Sequence, residues 1–159
     1  MTVAGGDRRT RDDAVILTVN AGSSSVKVAF YAAHEEPVEF ERAVADRIGA
    51  DAVLTVSRPG GARETFSLGA VDHRGALAAI IARSHDVLAN RPIAGVGHRI
   101  AHGGAEFVAP CELTDQVLAR LHQLDPLAPL HQPHNLGAVE AARALFPAAL
   151  QIGCFDTAF

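Results

Sequence analysis

The 159-residue sequence contains only two cysteines, Cys111 and Cys154, and they form no C-x-x-C pair. No apolar run reaches the roughly 18–20 residues that a membrane-spanning helix needs. No apolar segment follows the N-terminal arginines before Asp12 and Asp13, as a secretory signal would require. We therefore expect a cytoplasmic protein with reduced thiols and no membrane partner.

Basic residues are also outnumbered, with 14 Lys and Arg against 18 Asp and Glu and a net charge of −4. This balance argues against a nucleic-acid-binding protein, which usually carries a basic surface. The apolar content of 48% and the mean hydropathy of +0.15 are typical of a folded globular chain. The length fits one domain, and we predict a flexible N-terminal extension over residues 1–13 and a single domain over 14–159.

Neither common glycine-rich phosphate loop is present, since the sequence has no G-x-x-x-x-G-K-[ST] and no G-x-G-x-x-G that opens a helix. The most informative segment is instead V-I-L-T-V-N-A-G-S-S-S-V-K-V-A-F-Y. It predicts two strands, 15–19 and 26–31, joined by the polar turn 20–25. A structural hairpin needs only two or three turn residues, so this turn is longer and more polar than a hairpin requires.

Residues of this turn suit a phosphate group. Gly22 allows close backbone approach, the hydroxyls of Ser23 and Ser25 are donors, and Lys27 supplies a positive charge. The Asn20 carbonyl, at the end of a strand, is suited to Mg²⁺ or to a bound water. The alternative is a serine-rich turn with an exposed lysine, which short motifs of this kind leave open.

The rest of the pattern predicts two hairpins followed by βα units, and hence an α/β fold with a mixed sheet and helices packed against it. We predict one continuous helix over 74–89, capped by Asp72 and with Ser84 on its inward side. Thr114 and Asn135 are predicted caps of two later helices, the second with Leu145 facing inward. Further strands are predicted at 37–44, 51–57, 64–68, 93–101 and 148–155.

Arg99 lies at the end of an apolar strand, where α/β sheets usually place their ligands. Its guanidinium suits a carboxylate or phosphate, and the alternative is an ion pair with a structural carboxylate. Asp156 follows the last strand and is suited to bind a metal, orient a nucleophile or cap a turn. Histidines at 98, 102, 131 and 134 find no cysteine or carboxylate that completes a zinc site, and His73 is expected only to hydrogen-bond a loop.

Four motifs in this order, N-A-G-S-S-S-V-K, G-H-R-I-A-H-G-G, L-A-P-L-H-Q-P-H-N and C-F-D-T-A-F, resemble the acetate kinase family of acetate and propionate kinases. The resemblance covers residues 15–159. It implies a ribonuclease H-like mixed sheet flanked by helices, as in the superfamily of sugar kinases, actin and heat-shock ATPases. It also implies that this fold is one lobe of a two-lobe kinase.

The resemblance implies reversible transfer of the ATP γ-phosphoryl group to acetate or propionate, with Mg²⁺ as cofactor and an acyl phosphate as product. It assigns the metal to Asn20 and the phosphates of ATP to Gly22, Ser23, Ser25 and Lys27. It assigns catalysis to Arg99 and Asp156, and the carboxylate substrate to Arg99, Ala101, Leu130 and His131. A larger aliphatic residue is more usual in the family at the position of Ala101, so a roomier pocket that favours propionate is expected.

Family members continue well past D-T-A-F with residues of a second lobe. We therefore expect this chain to represent the N-terminal domain alone, without the C-terminal lobe, and to be inactive by itself. Its expected partners are ATP, a short carboxylate and either a separately encoded C-terminal lobe or a second copy. The alternative is a non-catalytic remnant or binding module derived from the kinase lobe.

Overall fold

The computed structural model describes residues 13–158, so the predicted extension over 1–13 lies outside the described residues except for Asp13. The helices are α1 (His73–Arg83), α2 (His85–Leu88), α3 (Asp115–His122) and α4 (Gln132–Leu145). Short 3-10 turns occupy Asp125–Leu127 and Asp156–Ala158. The strands are β1 (Val15–Ala21), β2 (Ser25–Ala32), β3 (Val38–Asp46), β4 (Ala52–Ser57), β5 (Arg63–Gly69), β6 (Ile93–Ile100), β7 (Cys111–Glu112) and β8 (Leu150–Phe155).

All eight strands form one sheet, in the order β5-β4-β3-β2-β1-β6-β8-β7. Strands β1 to β5 form an antiparallel meander, whereas β6 runs parallel to both β1 and β8. The short β7 pairs antiparallel with β8 at the far edge. The central order β3-β2-β1-β6-β8, with these directions, is that of a ribonuclease H-like sheet, and the predicted mixed α/β fold is confirmed.

The helices pack on one face of the sheet because side chains alternate along each strand. On β1, Val15, Leu17 and Val19 are almost fully buried on the side covered by α4, and they belong to the larger apolar cluster. A smaller cluster lies under α3 and α4 at the β6–β8 end of the sheet and includes Ile100 and Phe155. The residues between these buried positions on each strand consequently point to the other face. Asn20, Lys27 and Arg99 are examples.

Two predicted helix starts are confirmed by their caps. The Asp72 carboxylate accepts a hydrogen bond from Gly75 N at 2.7 Å, and the Thr114 hydroxyl accepts one from Val117 N at 3.3 Å. Such bonds satisfy amide groups that have no partner within the helix. None of the helices in the described part of the chain is long and apolar enough to cross a bilayer.

Other details of the prediction are wrong. The helix predicted over 74–89 is interrupted at Ser84, so α1 and α2 are separate, and Ala89 ends α2 in the left-handed region at φ 35°. Asn135 is not a cap, because α4 already begins at Gln132 and has a proline in its first turn, where proline is favoured. Leu145 is 39% exposed instead of inward, at the last turn of that helix.

Candidate functional site

The candidate site lies where β1 and β6 separate. Backbone pairing between these strands ends at Val19 and His98. Beyond that point β1 continues only with β2, and β6 continues only with β8. Parallel strands that part in this way leave a crevice at their carboxyl ends, the usual ligand position in open α/β sheets.

A cleft of about 250 Å³ occupies this crevice. Every predicted site residue lines it except Ser23 and Leu130, and two residues not assigned to the site from the sequence, Ala21 and Asn135, line it as well. Those that the structure brings together are Asn20, Gly22, Ser25, Lys27, Arg99, Ala101, His131 and Asp156. Residues separated by up to 136 positions in the chain therefore share one crevice.

One side of the cleft is formed by the β1–β2 hairpin. Asn20 and Lys27 are directly opposite each other in the antiparallel pair, so both side chains lie on the face without helices. Gly22 N donates to Ser25 O at 2.8 Å and closes the turn. A Cβ on Gly22 would lie 3.3 Å from Ser25 Oγ, so glycine leaves space for that hydroxyl beside the cleft. Ser23 is exposed in the turn, outside the cleft lining.

Arg99 and Asp156 form the opposite side. Arg99 Nε donates to both carboxylate oxygens of Asp156, at 2.9 and 3.1 Å, and Nη2 donates to Oδ2 at 2.8 Å. These hydrogen bonds and the carboxylate charge raise the pKa of Arg99, which stays cationic. The side chains are 59% and 42% exposed, so the pair is in contact with water. Arg99 thus forms the ion pair that was the alternative from the sequence, but its partner Asp156 is itself a residue of the cleft lining.

Of the remaining predicted substrate residues, two line the cleft and one does not. Ala101 and the exposed His131 line the cleft, and His131 immediately precedes α4. Leu130 is 70% exposed and lies outside the cleft lining. Apolar lining is therefore supplied in this chain by small residues, Ala21 and Ala101.

His73 connects the first turn of α1 with the hairpin turn. Its Nε2 lies 2.6 Å from Gly22 O, which confirms the expected hydrogen bond to a loop. The ring stacks on His134 with centroids 4.4 Å apart. Burial lowers the pKa of His134, and repulsion from His73 and His131 lowers it further. His134 is therefore neutral at a lower pH than an unperturbed histidine would be.

The donor set fits Mg²⁺ better than zinc. Within residues 13–158, no group of three or more His, Cys, Asp or Glu side chains could hold a metal ion. Oxygen donors of Asn20, Ser25 and Asp156 do share the cleft. Mg²⁺ prefers oxygen and is commonly held by one or two protein groups together with substrate phosphates and waters. The cleft suits an ion that arrives with a phosphate.

Asn135 is the cleft residue whose position the sequence did not reveal. Its side chain is buried, and its Oδ1 accepts from Ala101 N at 2.8 Å while its Nδ2 donates to Ala21 O at 2.5 Å. One turn earlier, Gln132 is fully buried and bonds to both the N–H and the carbonyl of His102. The available sequence signal was a polar pair, Gln132 and Asn135, on the helix face that otherwise carries Leu136, Val139 and Ala142.

A ribonuclease H-like sheet with a cleft at its strand ends is consistent with one lobe of a larger kinase. The acetokinase family model matches residues 15–159, and the chain belongs to that family. It is 41% identical over 150 residues to an acetate kinase of Rhodopseudomonas palustris (strain TIE-1), an alignment that covers 91% of this chain and 38% of the relative.

Solved structures agree with the family assignment. An acetate kinase from Porphyromonas gingivalis superposes with a TM-score of 0.84 at 32% identity, covering 92% of this chain and 38% of that one. A propionate kinase from Francisella tularensis subsp. tularensis SCHU S4 superposes with a TM-score of 0.82 at 24% identity, covering 91% and 37%, and supports the fold alone. The chain thus spans about 38% of the length of these relatives.

Proposed function

We propose that this cleft is half of the active site of a carboxylate kinase, which transfers the γ-phosphoryl group of ATP reversibly to acetate or propionate. The observation that carries the proposal is the meeting of Lys27 and Ser25 on one side with the Arg99–Asp156 pair on the other, in one cleft at the strand ends. A cation on each side, with the Ser25 hydroxyl beside Lys27, suits a ligand that contains a phosphoryl group and a carboxylate.

These residues match what the chemistry demands. Phosphoryl transfer depends mainly on alignment and charge stabilisation, which positively charged side chains and Mg²⁺ supply. Lys27 would hold ATP phosphates, with Gly22, Ser23 and Ser25 around them. The Arg99 fork would hold the carboxylate and the phosphoryl group in transfer. Acetate is already ionised at neutral pH, so Asp156 has no proton to remove and would orient the metal or the substrate.

Mg²⁺ would neutralise charge on the phosphates when bound. Asn20 and Asp156 are the groups we assign to it, directly or through water, since they offer oxygen atoms on the two sides of the cleft. Ala101 and His131 would border the acyl group. Leu130 joins them only if the loop before α4 changes its conformation, because its side chain is now 70% exposed.

The rest of the kinase would close the cleft. Charged groups act more strongly on a phosphoryl group when water is excluded, and this cleft is open to solvent. We therefore propose that residues 14–159 form one domain that works with a second kinase lobe, in the cytoplasm. That complement would correspond to the larger part of the relatives, of whose length this chain spans 38%.

Trapping of the acyl phosphate by hydroxylamine tests the proposal. The chain would be assayed with Mg-ATP and acetate or propionate, alone and with the separately expressed remainder of a related acetate kinase. We expect activity only in the mixture, and a loss of at least a hundredfold in Arg99→Ala.

Arg120→Ala is the matched control, since Arg120 forms a 2.8 Å ion pair with Glu106 at similar exposure and is not part of the cleft lining. This variant should keep full activity. Activity of the chain alone would show that one lobe suffices. If the mixture is inactive and the chain binds neither ATP nor acetate, the proposal is wrong and the chain is a non-catalytic relative.

A further inference from the structure

The side chain of Asn135 occupies the point where β1 and β6 stop pairing. The ladder between the two strands ends at Val19 and His98, two and three residues before Ala21 and Ala101. Asn135 Oδ1 accepts from Ala101 N at 2.8 Å, and Nδ2 donates to Ala21 O at 2.5 Å. The side-chain amide of Asn135 thus bonds an N–H beyond the end of the ladder on one strand and a carbonyl beyond its end on the other. It takes the place of direct backbone pairing between β1 and β6 at this point.

The two hydrogen bonds of the Asn135 side chain form a bridge between Ala101 and Ala21, and this bridge joins the two sides of the cleft directly. Ala21 lies between Asn20 and Gly22 on the hairpin side, and Ala101 is two residues after Arg99. Asn135 is 6% exposed, so its amide is shielded from the water that would otherwise compete for both partners. It also lies on α4, whose buried face packs against β1 and β6, so the amide has a fixed support.

Gln132 extends the same arrangement. Its Oε1 accepts from His102 N at 3.1 Å and its Nε2 donates to His102 O at 2.9 Å, so the first turn of α4 holds two successive residues after β6. Both amides are buried and both use donor and acceptor together. Replacement of either amide by an apolar group would leave buried backbone groups without partners.

We propose that Asn135 is a positioning residue, which fixes the separation between the Asn20–Lys27 side and the Arg99–Asp156 side of the cleft. The inference deepens the proposed function, on which its ligand-binding test rests. Its consequence is that Asn135 matters most for a ligand that touches both sides at once. Ligands that touch one side should bind almost independently of it.

Three probes separate these cases. Inorganic phosphate and acetate are single-group ligands, whereas acetyl phosphate carries both groups in one molecule. Their affinities would be measured by amide chemical-shift titration of the ¹⁵N-labelled 159-residue chain. For Asn135→Ala we expect acetyl phosphate to bind at least tenfold more weakly than to the wild type, with changes under twofold for phosphate and acetate.

Val139→Ala is the matched control, because Val139 is fully buried on the same helix and belongs to the apolar cluster instead of the cleft lining. It should lower stability while leaving the ratio of the three affinities unchanged. If Asn135→Ala behaves like Val139→Ala, the residue has only a structural effect and the proposal is wrong. Equal weakening of all three probes would also overturn it.

A readout without ligand keeps the bridge testable. Amide hydrogen exchange at Ala101 should be at least tenfold faster in Asn135→Ala than in the wild type, with His98 in the ladder as the internal reference. Val139→Ala should leave the ratio of these two exchange rates unchanged. If the wild type binds no probe, the activity of the mixture with the second lobe still decides the proposed function, and the exchange data decide the inference about Asn135. An unprotected Ala101 amide in the wild type overturns the bridge, and a protected one supports it.

Discussion

Acidification should destabilise the folded chain through His98. This imidazole is 2% exposed on the face of β6 that packs against the helices, and its Nε2 lies 2.7 Å from Gln151 Oε1. Because Gln151 offers an acceptor there, the neutral ring donates through Nε2–H. Burial lowers the pKa of His98 from 6.5 to about 4, against the smaller opposite effect of the hydrogen bond.

The size of the effect follows from proton linkage. The unfolded chain binds the proton near pH 6.5, whereas the folded chain binds it only near pH 4. The stability contributed by neutral His98 is therefore fully present above the unfolded pKa and is lost as the pH falls toward the folded pKa. Between about pH 7.5 and about pH 5 the free energy of unfolding should fall by about 2 kcal/mol from this residue.

Urea unfolding of the wild type and of His98→Gln at both pH values checks this estimate. The glutamine does not titrate and keeps a side-chain N–H for Gln151, so the variant should lose most of the pH dependence. His122→Gln is a second control, because burial lowers the pKa of His122 but hydrogen bonds to Glu140 and Asp125 raise it overall, which gives the opposite sign. An unchanged pH dependence in His98→Gln would refute the reasoning.

Three substitutions test the packing by chemical unfolding. Gly103→Ala should lower the free energy of unfolding by about 3 kcal/mol, because its Cβ would lie 2.4 Å from Phe107 O; wild-type stability would contradict this close approach. Gly137→Ala, in an open position within α4, should raise it by about 1 kcal/mol, and a decrease would be inconsistent with the open space. Ser84→Ala should raise it by about 1 kcal/mol, since the Ser84 hydroxyl is buried and has no hydrogen-bond partner among residues 13–158; destabilisation would indicate a partner elsewhere.

Local sequence indicated part of the cleft. Hydroxyls, a lysine and an arginine at strand ends suited a phosphate or carboxylate, with a serine-rich turn and a structural ion pair as the alternatives. Ala101 and His131 were assigned only by the resemblance to the family. Contacts between distant segments were not predictable in the same way. The bond from Asn135 to Ala21 joins residues 114 positions apart, and helix capping was the nearest local explanation for an asparagine before an apolar helix.

The order of the strands also depends on long-range packing. Sequence alternation indicated which segments are extended, but it did not indicate that β1 lies between β2 and β6 or that β8 separates β6 from β7. The two-residue β7 is too short to show any alternation. The break at Ser84 was not predictable from local sequence either. Serine is compatible with a helix, but Ser84 leaves the helical conformation where the chain turns between α1 and α2.

The two margins of the sheet restrict how copies of this protein can meet. Backbone groups without a partner at a sheet margin attract strands from other chains. Here the strand at one margin exposes Arg63, Glu64 and Thr65, and the strand at the other margin is only two residues long. The charged residues of one strand and the shortness of the other both weaken strand addition. Continuous edge-to-edge assembly of these sheets into fibres is therefore disfavoured, and copies would associate through side-chain surfaces.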